Sequence, residues 1–174
     1  SEMCIRDSFN SHPGMKLIIA PHEVDEKRIA GIESRLTRKS CRLSTATPEE
    51  AARADCLIVD GYGKLSSAYA YGDIAYVGGG FGVSIHNINE AAVYGMPVLF
   101  GPNYRKFKEA YDLIDVKGAF SFRDNEAFVS IMDRLVDDKD YLARCGESAR
   151  SYIKANLGAT DIICADLKPI LDRL

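Results

Sequence analysis

An α/β domain, a parallel sheet with helices on both faces, is the fold class this sequence predicts, and three observations predict it. The short apolar runs KLIIA, CLIVD, IAYVGG and PVLFG are rich in β-branched residues, too brief for helices and continuous enough for strands buried on both faces. Each run is followed by a longer stretch with helical spacing, an alternation that argues for parallel strands joined by helices. The chain has 174 residues, 47% of them apolar, enough for one domain with a single substantial core.

The opening octet SEMCIRDS matches no pattern that follows, so residues 1–14 are expected to be a non-native or disordered tail and residues 15–174 the domain. After KLIIA, Val24 to about Leu36 reads as a helix and CRLS as a short strand. TPEEAARA is a helical turn with Thr47 as N-cap and Pro48 at the first position. A strand ending at Asp60, a helix from about Lys64 to Tyr71 and a strand ending at Gly78 come next. Asn87 to Tyr94 is helical, stopped by Gly95 and Pro97. After PVLFG the spacing predicts a helix near Tyr104 to Ile114, a strand GAFSF, and helices at about 125–136, 139–156 and 159–171.

Composition removes several function classes. The formal charge of −3 comes from acids and bases mixed along the chain, so no basic field exists to collect nucleic acid or acidic lipid. Five cysteines without a Cys-x-x-Cys pair argue for a reducing compartment and plain apolar thiols. The three histidines lack metal-ligand spacing, and no metal site or cofactor is expected. No apolar run approaches the ~20 residues of a membrane span, and no secretory signal is read.

In an open parallel sheet, ligands bind where strand carboxyl ends lead into helices. Three loops occupy that edge: PHEVD, DGYGKL and GGGFGVSIHN. Glycines there let backbone approach a ligand without a Cβ, and the following helix start offers N–H groups to an anion. A second reading stands beside this one: Asn87 and Glu90 have capping-box spacing, and His86 alone suits a loop or packing role. Standard nucleotide fingerprints fail. GGGFGVSI and GYGKLS both lack the third glycine of a dinucleotide motif, and Gly63-Lys64 has neither the upstream glycine nor the following Ser or Thr of a P-loop. Tyr69, Tyr71 and Tyr76 are expected to pack in the core under the sheet.

Residues 60–114, with G-G-G-F-G, H-N-x-x-E, G-x-P-V-x-F-G-P-N-Y and K-F-x-E-A in one run, closely resemble the donor-binding half of 3-deoxy-D-manno-octulosonic acid (Kdo) transferases. More weakly, the similarity covers nearly everything after Gly14. The resemblance implies one Rossmann-like half of a GT-B glycosyltransferase, the C-terminal half that holds the nucleotide sugar CMP-Kdo. It implies that the general base, the lipid A precursor and the membrane-associating surface belong to an N-terminal domain, that the whole enzyme works at the cytoplasmic side of the bacterial inner membrane, and that this chain alone is soluble and inactive.

By the same resemblance, Gly79, Gly80, Phe81, Gly82, Ser84, His86 and Asn87 meet the donor, and Glu90 accepts hydrogen bonds from the ribose. Pro21 and His22 match a Pro-Arg/His loop that contacts CMP, without the arginine common there. Gly63 and Leu65 carry over from a Gly-Glu-Leu pattern in which Lys64 replaces the glutamate. Lys106 stands where many relatives have asparagine, and both a solvated lysine and a contact with the donor carboxylate remain open. The alternatives are another GT-B transferase or epimerase using UDP or GDP, and a non-catalytic nucleotide-binding module.

Overall fold

The structure, a computed structural model, describes residue 5, residues 8–10 and residues 12–172. Its strands are β1 (Leu17–Ile19), β2 (Ser40–Arg42), β3 (Cys56–Ile58), β4 (Ala75–Val77), β5 (Val98–Phe100) and β6 (Ala119–Ser121). The helices named here are α1 (Glu26–Glu33), α2 (Pro48–Arg53), α3 (Leu65–Ala68), α4 (Asn89–Ala92), α5 (Lys108–Asp115), α6 (Asn125–Asp137), α7 (Lys139–Ala155) and α8 (Ala159–Leu171). Every strand pairing is parallel, as the apolar runs predict.

The strands form two sheets rather than one, ordered β1-β3-β2 and β4-β5-β6. In the second, Val98, Leu99 and Phe100 are all completely buried, because side chains alternate across a sheet covered on both faces. Val98 and Phe100 pack with Ile85, Ile88, Leu113 and Ala149, bringing α4, α5 and α7 onto one face. Leu99 turns the other way, to Phe122, Phe128 and Leu135 and hence to α6. The first sheet buries Cys56 and Ile58 against Ile29 of α1. Phe9, within the segment read as a tail, is also fully buried in that cluster, with the Arg38 guanidinium 4.1 Å over its ring.

Capping residues set the helix starts. Asp25, Asp124 and Asp138 each accept from the backbone N–H three residues on, and Thr47 forms a full capping box with Glu50 ahead of Pro48. The predicted helix near Tyr104 begins only at Lys108, because Phe107 keeps an extended backbone. The predicted helix from Lys64 to Tyr71 is a short α3 followed by a 3₁₀ turn at Tyr69–Tyr71. α8 follows Gly158, whose φ is +101°, and none of its residues is buried.

α7 lies against the turn after α4, and a Cβ on Gly146 would stand 2.3 Å from the Gly95 carbonyl oxygen. Backbone cannot yield there as a flexible side chain can, so Gly146→Ala is expected to destabilise the domain by about 1–3 kcal/mol in urea unfolding. Gly31→Ala is its control: the position is helical with open space around it, so a gain of about 0.5–1 kcal/mol is expected.

Candidate functional site

The loop leaving β4 is shaped by backbone packed against backbone. Gly79 has φ +90°, and a Cβ on it would come within 2.4 Å of the Ser84 carbonyl oxygen. A Cβ on Gly80 would stand 2.8 Å from Gly101 Cα, and one on Gly101 would stand 2.6 Å from the Gly80 carbonyl carbon. The loop therefore folds down onto the end of β5 because neither position carries a side chain. Hydrogen bonds hold the shape: Gly82 N–H to Gly79 O at 2.8 Å, and His86 N–H to Gly78 O at 3.2 Å. Asn103 braces it from outside, its N–H donating to Gly80 O at 3.0 Å and its side-chain amide to Gly82 O at 2.7 Å. Asn103 belongs to the G-P-N-Y motif, where the signal for its role is an amide side chain two residues after Gly101, the glycine that packs on the loop.

The helix after this loop corrects the predicted capping box. α4 is one turn beginning at Asn89, with Ile88 before it, because Ile85 and Ile88 are drawn into the core. Asn87 Oδ1 accepts from Asn89 N–H at 3.0 Å, and Asn87 Nδ2 donates to Glu90 Oε1 at 3.0 Å. Glu90 thus touches the Asn87 side chain rather than its backbone, and remains exposed at the loop's outer face.

Three loops meet around this point. The His22 ring stacks on His86 with centroids 5.2 Å apart and planes 23° from parallel, joining the loop after β1 to the loop after β4. Pro21 and His22, Gly63 and Leu65, and Gly79, His86, Asn87 and Glu90 all line one cavity of about 1510 Å³. Gly80, Phe81, Gly82, Ser84 and Lys106 are not among its lining residues. Gly80 is buried, Phe81 leans on Phe122 at 5.3 Å, and the Ser84 hydroxyl donates to Ile85 O at 3.2 Å. Lys106 is exposed ahead of α5.

The tyrosines divide. Tyr69 and Tyr76 pack against the cores as expected, but Tyr71 is 82% exposed, a correction that follows from its place at the solvent end of the 3₁₀ turn. Burial, and after it the nearby Glu90 carboxylate, push the Tyr69 phenol above its ordinary pKa, which places that carboxylate beside a partly dry wall.

Chemically the mouth offers backbone donors, two imidazoles and a carboxylate. The described lining contains no serine, threonine or cysteine, and its hydroxyl groups are those of Tyr62, Tyr69, Tyr71 and Tyr76. Among the described residues no cluster of three or more His, Cys, Asp or Glu is placed to hold a metal, and no helix is long and apolar enough to cross a membrane. The arrangement is suited to holding a polar ligand through donors and one acceptor.

No family model matches the chain. Curated relatives do. Over 131 residues it is 28% identical to a 3-deoxy-D-manno-octulosonic acid transferase of Aquifex aeolicus, covering 74% of this chain and 36% of the relative. The enzyme of the same name from Bordetella pertussis is 31% identical over 121 residues, 68% of this chain and 28% of that one. The Haemophilus influenzae enzyme is 24% identical over 93% of this chain and 39% of its own length. The chain thus spans about a third of these relatives. Among solved structures, the C-terminal CMP-Kdo binding domain of WaaA from Acinetobacter baumannii shares the fold, with TM-score 0.73 and 22% identity over 86% of this chain and 79% of that one. Its kinship and its parallel α/β architecture together make this chain a homologue of part of the 3-deoxy-D-manno-octulosonic acid transferases, with the fold of one half of a GT-B glycosyltransferase.

Proposed function

We propose that this chain is the donor-binding half of a glycosyltransferase that moves Kdo from CMP-Kdo to a lipid A precursor in lipopolysaccharide synthesis at the cytoplasmic face of the inner membrane. The observation that carries the reading is the meeting of His22 and His86, which brings the loops after β1 and β4 together beside Glu90 at the mouth of one cavity. The relatives' names and the CMP-Kdo binding of the solved neighbour support the same ligand.

An acceptor hydroxyl attacks the anomeric carbon of Kdo, a new C–O bond forms, and the bond from that carbon to the phosphate oxygen breaks. CMP leaves with the bonding pair, and a base outside this chain takes the hydroxyl proton. Negative charge grows on the departing phosphate, so donors already aimed at it favour the transition state over the ground state. In this reading the N–H of Gly79, the loop glycine after Gly78 that lines the cavity, supplies such a donor with the His86 ring beside it. Glu90 accepts from the ribose hydroxyls, a charge-assisted contact stronger than a neutral one.

Titrating the chain with CMP, UDP and GDP by calorimetry is expected to show CMP bound at least tenfold more tightly than the others. Preference for UDP instead assigns the site to a different nucleotide-sugar transferase, and no binding of any of the three sinks the reading. Glu90→Gln keeps an acceptor for the Asn87 amide and removes the charge, so CMP affinity is expected to fall about tenfold with the melting temperature unchanged. A fall in melting temperature with affinity intact confines Glu90 to local structure. Asn103→Ala removes the brace on Gly82 without touching the cavity lining, and is expected to weaken CMP binding several-fold while costing about 1 kcal/mol of stability, read by calorimetry and urea unfolding.

A further inference from the structure

The segment between β3 and β4 sets one side chain beside the carboxylate of α4. Tyr69 closes α3, its N–H donating to Leu65 O, and opens the 3₁₀ turn, where its own carbonyl accepts from Gly72 N–H at 3.1 Å. Its backbone is thus held on both sides. The ring is held as well: it is half-buried against the cluster containing Ala91, Met96 and Val98, and the Tyr94 ring lies 6.3 Å away at a tilt of 38°. Glu90 and Tyr94 are four residues apart, so they share one side of α4 and the turn after it, and Tyr69 lies along that side.

Both Tyr69 and Glu90 line the cavity. Burial, and after it the Glu90 carboxylate, hold the phenol above its ordinary pKa, so at neutral pH the hydroxyl keeps its proton and both donates and accepts. Each group has capacity to spare. Glu90 Oε1 accepts from the Asn87 side-chain amide at 3.0 Å, while among the described residues neither Glu90 Oε2 nor the Tyr69 hydroxyl has a hydrogen-bond partner. Tyr62 and Tyr71 line the same cavity but are 76% and 82% exposed, and a ring that must first be immobilised contributes less to binding than one already held.

We infer that the Tyr69 hydroxyl and the Glu90 carboxylate together hold the vicinal 2′,3′-diol of a ribonucleotide, and that Tyr69 is the residue that makes the site prefer ribose to deoxyribose. A carboxylate only accepts, so it serves a sugar hydroxyl as donor and leaves that hydroxyl's lone pairs and the neighbouring hydroxyl unmet. A phenol that both gives and receives completes the set. One sugar hydroxyl donates to Glu90 Oε2, and the other accepts from Tyr69. A nucleotide lacking that second hydroxyl leaves the phenol against a half-buried wall without a partner, and an unpaired buried group costs more than the bond itself contributes. Tyr69 takes no part in bond breaking; it selects the sugar. The inference rests on the nucleotide reading of the mouth and adds sugar discrimination to it.

Tyr69→Phe removes the hydroxyl and keeps the ring against Tyr94, and calorimetry with CMP, 2′-deoxy-CMP and 3′-deoxy-CMP reads the consequence. The unsubstituted chain is expected to bind CMP roughly tenfold or more tightly than the deoxy nucleotide lacking the hydroxyl that Tyr69 meets. In Tyr69→Phe, CMP affinity is expected to fall about three- to tenfold while affinity for that deoxy nucleotide stays where it was, so the preference collapses. Equal losses for CMP and both deoxy nucleotides confine Tyr69 to packing and overturn the inference, as does an unchanged CMP affinity; in both cases the donor reading of the mouth stands. Failure of the unsubstituted chain to bind CMP overturns both. A second measurement needs no substitution. With tyrosine labelled at the ring carbon that bears oxygen, the Tyr69 resonance is expected to move when CMP saturates the chain and to stay near its free position with the matching deoxy nucleotide. Equal movement with all three nucleotides overturns the inference.

Discussion

The mouth of the cavity depends on one close approach, Gly80 against Gly101. With backbone atoms where a side chain would begin, 2.6–2.8 Å from an ideal Cβ, the loop after β4 has nowhere to rest except on the end of β5. That contact fixes the height at which the chain leaves the sheet. Ile85 and Ile88 then anchor the exit by entering the core, and the polar residues between and after them, His86, Asn87 and Glu90, are left facing outward. Presentation of the polar set is thus a consequence of apolar burial on either side of it. A rigid, hydrogen-bonded loop is what electrostatic stabilisation of a leaving group requires, because donors that must first reorganise give back most of what they contribute.

The charge balance of the mouth fits the same logic. It contains Glu90 and two imidazoles, and the lysine and arginine residues of the cavity lining are Lys16, Arg28, Arg35 and Lys139. Backbone N–H groups carry partial charges that cannot be titrated or moved, and they bind an anion without attracting every anion in solution as a basic cluster does. His22 stacks on His86 and so joins the loop after β1 to the loop after β4 by ring contact.

Strand positions, the Thr47 capping box and the stop at Gly95 were legible because each depends on neighbours in sequence: apolar continuity, a cap three residues from its partner, a glycine where φ is +76°. The glycine loop was legible as a loop. The start of α4 was not, since Asn87 and Glu90 have the spacing of a capping box while the burial of Ile88, a tertiary event, decides where the helix begins. Asn103 escaped notice for a similar reason: its two bonds reach back across more than twenty residues to Gly80 and Gly82. The separation into two sheets left no trace in hydrophobic patterning, because an edge strand and a central strand of a covered sheet carry the same apolar run.

That separation bears on how strongly the mouth can hold anything. Its walls belong to different sheets, with Pro21 and His22 on the first and Gly79 to Glu90 on the second. Apolar contacts through Met15, the His12–Asp133 contact at 3.4 Å and a pair of stacked rings join them, and none of these is a ladder of hydrogen bonds. A ligand touching both walls must select the arrangements in which they are correctly spaced, and its apparent affinity falls by the fraction of time they are. The spacing of the two sheets and the strength of the site are therefore one property of this fold, and the histidine pair is a point at which the first is transmitted to the second.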